Sequence, residues 1–369
     1  MNDEPFEIFI TATPGLEQPL AAELREHGWT PGILPGGLTI HGNWHDVWRA
    51  NLMLRGATRI LARIGSFRAL HLAQLDKRAR KFAWGKVLRP DIPVKVEAVC
   101  RASRIYHAGA AQQRIERALR EELGATISPE AAITVKLRIE DDLATISLDT
   151  TGESLHKRGH KEAVAKAPMR ETMAAMFLRE MGYDGSQTVL DPMCGSGTFV
   201  IEAAEIAADL APGRDRNFAF EKLAVFDPPE WQRMRQASNT RQPAQLFYGS
   251  DRDAGAVRMS TANADRAGVR DLVRFECKPI SDLLPPPDCA PGIVIVNPPY
   301  GSRIGNKGPL FGLYASMGQR FREFFREWEI GIVTSDAGLA RATGLQFHPP
   351  GPIVAHGGLK IRLWRVKKP

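Results

Sequence analysis

An apolar strand, Ile293-Val294-Ile295-Val296, runs directly into Asn297-Pro298-Pro299-Tyr300-Gly301. Two consecutive prolines fix φ and remove two backbone donors, so the corner is rigid and its carbonyl oxygens face outward. Such a corner suits one chemical task. The lone pair of an exocyclic amine on a nucleobase is delocalised into the ring, so the nitrogen must be gripped by acceptors before it can attack an electrophile. The Asn297 side-chain oxygen and the Pro298 carbonyl can accept both amine hydrogens, Pro299 stiffens the turn, and Tyr300 can stack on a base turned out of its helix. Asn297, Pro298, Pro299 and Tyr300 are therefore the candidate catalytic residues. No general base is needed, because the amine proton becomes acidic once the nitrogen has been alkylated, and positioning is the main resource. The corner carries no cysteine nucleophile, which argues against carbon-5 pyrimidine chemistry through a covalent thiolate.

A second constellation lies about a hundred residues upstream. Val189-Leu190-Asp191-Pro192-Met193-Cys194-Gly195-Ser196-Gly197-Thr198-Phe199 sets a carboxylate at a strand end, then two glycines, then an apolar helix. Glycines at a sheet's carboxyl edge let a ligand approach the backbone, and the helix that follows offers free N–H groups. The loop lacks the third glycine of a dinucleotide fingerprint and the Gly-Lys-Ser/Thr of a phosphate loop, which counts against NAD and ATP. About sixty residues on, Phe247-Tyr248-Gly249-Ser250-Asp251 ends in an acid able to accept both ribose hydroxyls of an adenosyl group. Asp253 reads as the N-cap of the next helix, which leaves Asp251 as the ligand candidate.

The elements that position these groups are legible as periodicity. From residue 187 strands and helices alternate, the signature of a parallel sheet covered on both faces. Strands are predicted at 188–191, 246–251, 273–277, 292–297 and 330–335, with an antiparallel hairpin at 352–355 and 360–366 closing one edge. This gives an α/β, Rossmann-like domain with a seven-stranded, mostly parallel sheet. The first ~170 residues read as an α+β region. Strands are predicted at 7–13 and 36–41 with helices at 16–27 and 44–54, then a second small sheet from 93–100, 133–139 and 143–149 with a helix at 108–123. The division expected is 1–60, 61–155 and 156–369, with a Gly-, Lys- and His-rich linker and first helix over 156–186, where Pro168 starts the helix 170–181.

With 369 residues and 43% hydrophobic content the chain can bury more than one core. No stretch of 18 apolar residues suggests a membrane span, and the first residues are acidic where a signal peptide is basic. A cytoplasmic protein with no membrane partner is expected. Cys100, Cys194, Cys277 and Cys289 lack Cys-x-x-Cys spacing, so neither a zinc site nor a disulfide framework is expected, and no metal. Between Arg49 and Arg104, fourteen basic residues face three acids, a local net charge of +11 that favours a polyanion.

On these residues the chain resembles a known family, the bacterial RNA guanine-N2 methyltransferases with an N-terminal ferredoxin-like plus THUMP module, formerly grouped with adenine-specific DNA methylases. The likeness covers nearly the whole chain and follows the N-terminal half of the family's 23S rRNA members. It includes Thr11-Ala12-Thr13-Pro14-Gly15-Leu16-Glu17, Arg49-Ala50-Asn51-Leu52-Met53-Leu54-Arg55, Ser147-Leu148-Asp149-Thr150-Thr151-Gly152-Glu153, Lys157-Arg158-Gly159-His160, Ala167-Pro168-Met169-Arg170-Glu171-Thr172 and Phe218-Ala219-Phe220-Glu221, besides the two motifs above. The resemblance implies S-adenosyl-L-methionine as cofactor, held by Asp191, Pro192, Cys194, Gly195, Gly197, Thr198 and Asp251. Pro168 and Thr172 would border its methionine end, unless that segment is simply a helix start. After the third strand the family has an acid sooner than this chain, whose first one is Asp282, the residue left to meet the adenine. The basic stretch falls to the THUMP module, with Arg101, Arg104, Lys157 and Arg158 as phosphate contacts. The implied activity is methylation of guanine N2 in 23S rRNA. Alternatives are the same reaction on tRNA, adenine-N6 methylation of DNA, which the proline corner serves equally well, and a noncatalytic RNA-binding or assembly factor.

Overall fold

The computed structural model describes residues 4–161, 169–237, 240–300 and 308–368. Pro168 and Gly301 lie outside the described residues. Two compact units result, one from 1–12, 24–155 and 216–237, the other from 13–23, 156–215 and 238–369.

The first unit is built on one seven-stranded sheet. Its strands are β1 (Phe6–Thr11), β2 (Gly32–Leu34), β3 (Gly37–Gly42), β4 (Arg59–Arg68), β5 (Val94–Arg101), β6 (Ile133–Glu140) and β7 (Leu143–Asp149), in the order β2-β3-β1-β4-β7-β6-β5. This corrects the expectation of two small sheets. The ten-residue strand β4, which periodicity did not reveal, joins them. It pairs with β1 from Ile8↔Ala62 to Thr11↔Arg59, and with β7 from Leu61↔Asp149 to Arg68↔Leu143 around a bulge at Arg63/Gly65. Its arginines break the apolar alternation in sequence, but two of them find an acid on a neighbouring strand. Arg59 Nη1 lies 2.6 Å from Asp149 Oδ2, and Arg63 pairs with Glu7.

A second correction concerns 216–237, expected inside the catalytic domain but found in the first unit. The reason is aromatic burial. Phe218 stacks on Phe220 at 5.2 Å, Phe220 meets Trp231 edge-on at 5.0 Å, and Trp48 from the helix Trp44–Met53 stacks on Phe220 at 6.0 Å. Burying these rings removes more apolar surface than a polar loop would give up.

The second unit holds β8 (Val189–Asp191), β9 (Phe247–Asp251), β10 (Val273–Cys277), β11 (Ile293–Val296), β12 (Glu329–Thr334), β13 (Val354–His356) and β14 (Leu359–Arg365), in the order β10-β9-β8-β11-β12-β14-β13. The first five strands in that order are mutually parallel, and β14 and β13 close the edge antiparallel. All four residues of β11 are buried, so this central strand is covered on both faces. Val294 and Val296 pack with Tyr314, Met317 and Phe321 of the helix Gly308–Phe324. Chain order reverses between β8 and β11, and an open α/β sheet binds ligands at the carboxyl ends beside such a switch point. No described helix is long and apolar enough to cross a membrane, and no cluster of three or more potential metal ligands occurs among the described residues.

Candidate active site

Register brings the carboxyl ends of β9, β8 and β11 side by side. Asp191 pairs with Gly249, and Leu190 lies between Tyr248 and Val294. Asp191, Asp251 and Asn297, far apart in sequence, therefore share one sheet edge.

The Asp191 side chain is buried, and its Oδ1 accepts from Met193 N–H at 3.0 Å. Burial pushes its carboxyl up to about 8 against that hydrogen bond, and Asp251 nearby adds to the rise. Asp251 Oδ2 accepts from Gly195 N–H at 3.1 Å and Oδ1 from Asp253 N–H at 3.0 Å. Each oxygen keeps a second lone-pair direction for an incoming hydroxyl. Asp253 is the N-cap of the helix Ala254–Arg266, its side chain accepting from Gly255 N–H.

Between these acids the glycine loop is shaped by position. Gly195 (φ +52°) would point a Cβ into open space, so its face is free for a ligand. Gly197 (φ +84°) precedes the helix Thr198–Ala207, and a Cβ there would lie 2.9 Å from Ser260 Cβ. Cys194 is buried behind the loop, and burial pushes its thiol well up, so it stays a neutral wall group. Pro192 is buried and Thr198 opens the helix.

At the corner after β11, Pro298 is buried and Tyr300 half-buried, and burial pushes the Tyr300 phenol up to about 12. Asn297 Oδ1 is shut off from solvent and meets no donor among the described residues. An orphaned buried acceptor costs on the order of 1–3 kcal/mol, and a substrate donor would relieve that cost. Tyr314 Oη, with its side chain fully buried, reaches Pro299 O at 3.4 Å and Thr334 Oγ1 at 3.3 Å behind the corner. These two supports were not anticipated from sequence, because Tyr314 reads as an ordinary core position of an amphipathic helix.

The remaining candidates divide. Thr172 is fully buried in the first turn of the helix Glu171–Glu180, and its Oγ1 has no partner among the described residues. Asp282 ends a short turn after β10 and is exposed, its Oδ1 accepting from Ser281 Oγ at 2.9 Å. In the first unit, Arg101 and Arg104 expose 72% and 71% of their side chains, and their acidic neighbours Glu140 and Asp142 stand off at 3.6 and 3.9 Å. Lys157 is exposed. Arg158 is a correction: only 2% of its side chain is exposed, and it pairs with the equally buried Glu202 at 3.2 Å, so no phosphate can reach it. The overlooked signal was the two glutamates, Glu202 and Glu205, inside an otherwise apolar helix.

Residues 158–348 match the family described as RMKL-like, methyltransferase domain, and residues 7–61 match the RlmL ferredoxin-like domain. The chain belongs to this family. It is 33% identical, over 98% of its length, to the ribosomal RNA large subunit methyltransferase K/L of Syntrophotalea carbinolica, covering 53% of that protein. The chain spans about half the length of the K/L relatives it matches. YpsC of Bacillus subtilis is 30% identical and of similar length, with 92% of this chain and 90% of that one covered. Among solved structures, SMU.472 complexed with SAH superposes with a TM-score of 0.89 at 28% identity, covering 100% of this chain and 99% of that one. A Listeria monocytogenes structure titled a predicted N6-adenine-specific DNA methylase gives 0.88 at 27% identity, with 99% of this chain and 97% of that one covered.

Proposed function

We propose that the chain is an S-adenosylmethionine-dependent RNA methyltransferase acting on the exocyclic N2 amine of a guanine in 23S rRNA. The observation that carries the reading is Asn297 Oδ1, buried and without a donor among the described residues, at a proline-stiffened corner on the same sheet edge as two carboxylates and an open glycine loop.

The loop fits the cofactor. Asp251 keeps lone pairs for both ribose hydroxyls, Gly195 leaves room for the ligand, and Asp191 can turn its buried carboxyl toward a cationic ligand. Bound S-adenosylmethionine supplies an electrophilic methyl carbon. Asn297 Oδ1 and the Pro298 carbonyl accept the two amine hydrogens, which aims the nitrogen lone pair away from both acceptors. Tyr300, neutral at every physiological pH, offers a stacking face. The neutral Cys194 thiol takes no covalent part. Relatives named for large-subunit rRNA and the exposed Arg101 and Arg104 support an RNA partner, bound by the first unit through the part of its sheet that carries these arginines.

Nucleoside mass spectrometry of rRNA and tRNA from a strain lacking the protein tests the reading. Loss of N2-methylguanosine from one 23S fragment is expected. Loss from tRNA would transfer the reaction to that substrate, and loss of N6-methyladenosine would overturn the base assignment.

A further inference from the structure

The segment 158–161 belongs to the second unit, and its Arg158, His160 and Lys161 all meet one helix. Lys161 Nζ lies 2.8 Å from Thr198 Oγ1, Arg158 Nη2 lies 3.2 Å from Glu202 Oε1, and His160 Nδ1 lies 3.8 Å from Glu205 Oε1. Thr198, Glu202 and Glu205 are spaced four and three apart, so they form one stripe of the helix that follows the glycine loop. Arg214 Nη2 also pairs with Glu205 Oε1, at 2.6 Å.

Lys161 stands out within this set. Its side chain is 12% exposed and its ammonium meets three acceptors, Thr198 Oγ1 at 2.8 Å, Met169 O at 3.0 Å and Glu171 Oε1 at 3.0 Å, so all three of its donors can be satisfied. A cation at the first turn of a helix opposes the helix dipole. Glu171 offsets that repulsion, and the arrangement locks Thr198, the residue directly after Gly197, to the start of the helix Glu171–Glu180. A second path reaches the same loop. Arg266 Nε donates to His160 O at 2.7 Å, its other end donates to Asn263 Oδ1, and Asn263 Nδ2 donates to Ser196 O at 3.0 Å.

We propose that Lys161 is a positioning residue for the cofactor loop, holding Gly197 and Thr198 at the spacing that S-adenosylmethionine requires. This rests on the reading of that loop as the cofactor site. Lys161 acts through Thr198 and touches neither methyl group nor base. It therefore governs cofactor affinity and leaves the transfer step alone.

The test uses the full chain, with calorimetry of S-adenosylhomocysteine binding and steady-state kinetics on unmodified rRNA. Lys161→Met is expected to raise the S-adenosylhomocysteine Kd and the KM for S-adenosylmethionine about tenfold with kcat within twofold of wild type. Lys161→Arg, which keeps cation and donors, is expected to recover most of the loss. The double variant with Thr198→Val should lose less affinity than the sum of the two single losses, because both substitutions remove the shared Lys161–Thr198 contact. Lys161→Gln keeps a donor for Thr198 and should fall between wild type and the Met variant, which covers a Met variant that does not fold. Unchanged affinity in a folded Lys161→Met or Lys161→Gln protein overturns the proposal, as do additive losses in the double variant. A wild-type protein that binds no S-adenosylhomocysteine overturns the cofactor reading itself.

Discussion

Replacing Asp191 by Asn separates the electrostatic cost of this site from its use. The carboxyl is buried at the end of β8 and pushed up to about 8, chiefly because burial penalises its charged form. Folded protein therefore keeps a proton that the unfolded chain releases near the ordinary carboxylate range. The stabilisation from this group is complete below about pH 4, declines as pH rises, and is fully lost above about pH 8. Across the interval the loss is about 1.4 kcal/mol per pH unit, or up to about 4 kcal/mol between pH 5 and 8. The amide introduced by Asp191→Asn would keep the oxygen that accepts from Met193 N–H and has nothing to ionise. In a unit of this size each kcal/mol moves Tm by about 2–4 °C. The Tm of Asp191→Asn relative to wild type should thus gain several degrees from pH 5 to pH 8 and stay level beyond. Ligand binding should run the opposite way. A ligand that sets its α-ammonium against the carboxyl draws it back to the ionised form, so wild-type affinity for S-adenosylhomocysteine should rise with pH up to about 8, while the Asn variant binds weakly at every pH. Thermal melts and calorimetry of both proteins from pH 5 to 9 decide it. A Tm difference that does not change with pH would refute the reasoning.

Asn297→Ala removes the buried acceptor at the proline corner, and a hydrogen bond to a nitrogen gaining charge contributes about 1.5–3 kcal/mol, so kcat should fall roughly 10- to 150-fold with KM for S-adenosylmethionine unchanged in steady-state assays. Gly197→Ala meets both a φ of +84° and a Ser260 Cβ at 2.9 Å, and calorimetry should register at least about a tenfold loss of S-adenosylhomocysteine affinity, from strain of about 1–2 kcal/mol plus the clash. Arg101→Ala and Arg104→Ala should each lower the slope of log affinity for RNA against log salt by about one in filter binding, with cofactor affinity untouched. Arg158→Ala should instead lower stability by about 3–5 kcal/mol in urea melts, because it takes a buried cation from a buried carboxylate.

Part of the site was legible because its chemistry is local. The strand running into two prolines, the two glycines after Asp191, and the acid ending β9 each constrain a few consecutive bonds, and Asp253 caps its helix as its position before Ala254 implied. What supports those residues was not legible. Tyr314 and Thr334 behind Pro299, and Lys161 on Thr198, are ordinary residues whose roles come from which atoms face them.

The amino-acid order by itself determined the short-range features. Proline and glycine dihedrals set the two loops, and periodicity set most strands and helices, because backbone sterics and capping act over a few residues. Only the tertiary structure decided what is buried and what is neutralised. The stretch from Arg49 to Arg104 carries a formal +11, yet Glu7, Glu121, Glu122 and Asp149 come from outside it to meet Arg63, Arg80 and Arg59, while Arg101 and Arg104 stay exposed. In the same way β4 fuses two apparent sheets into one, and the return of 216–237 completes an aromatic core around Trp48. Charge pairing, sheet order and burial depend on partners dozens of residues away, and no local pattern in the chain encodes where such partners will be.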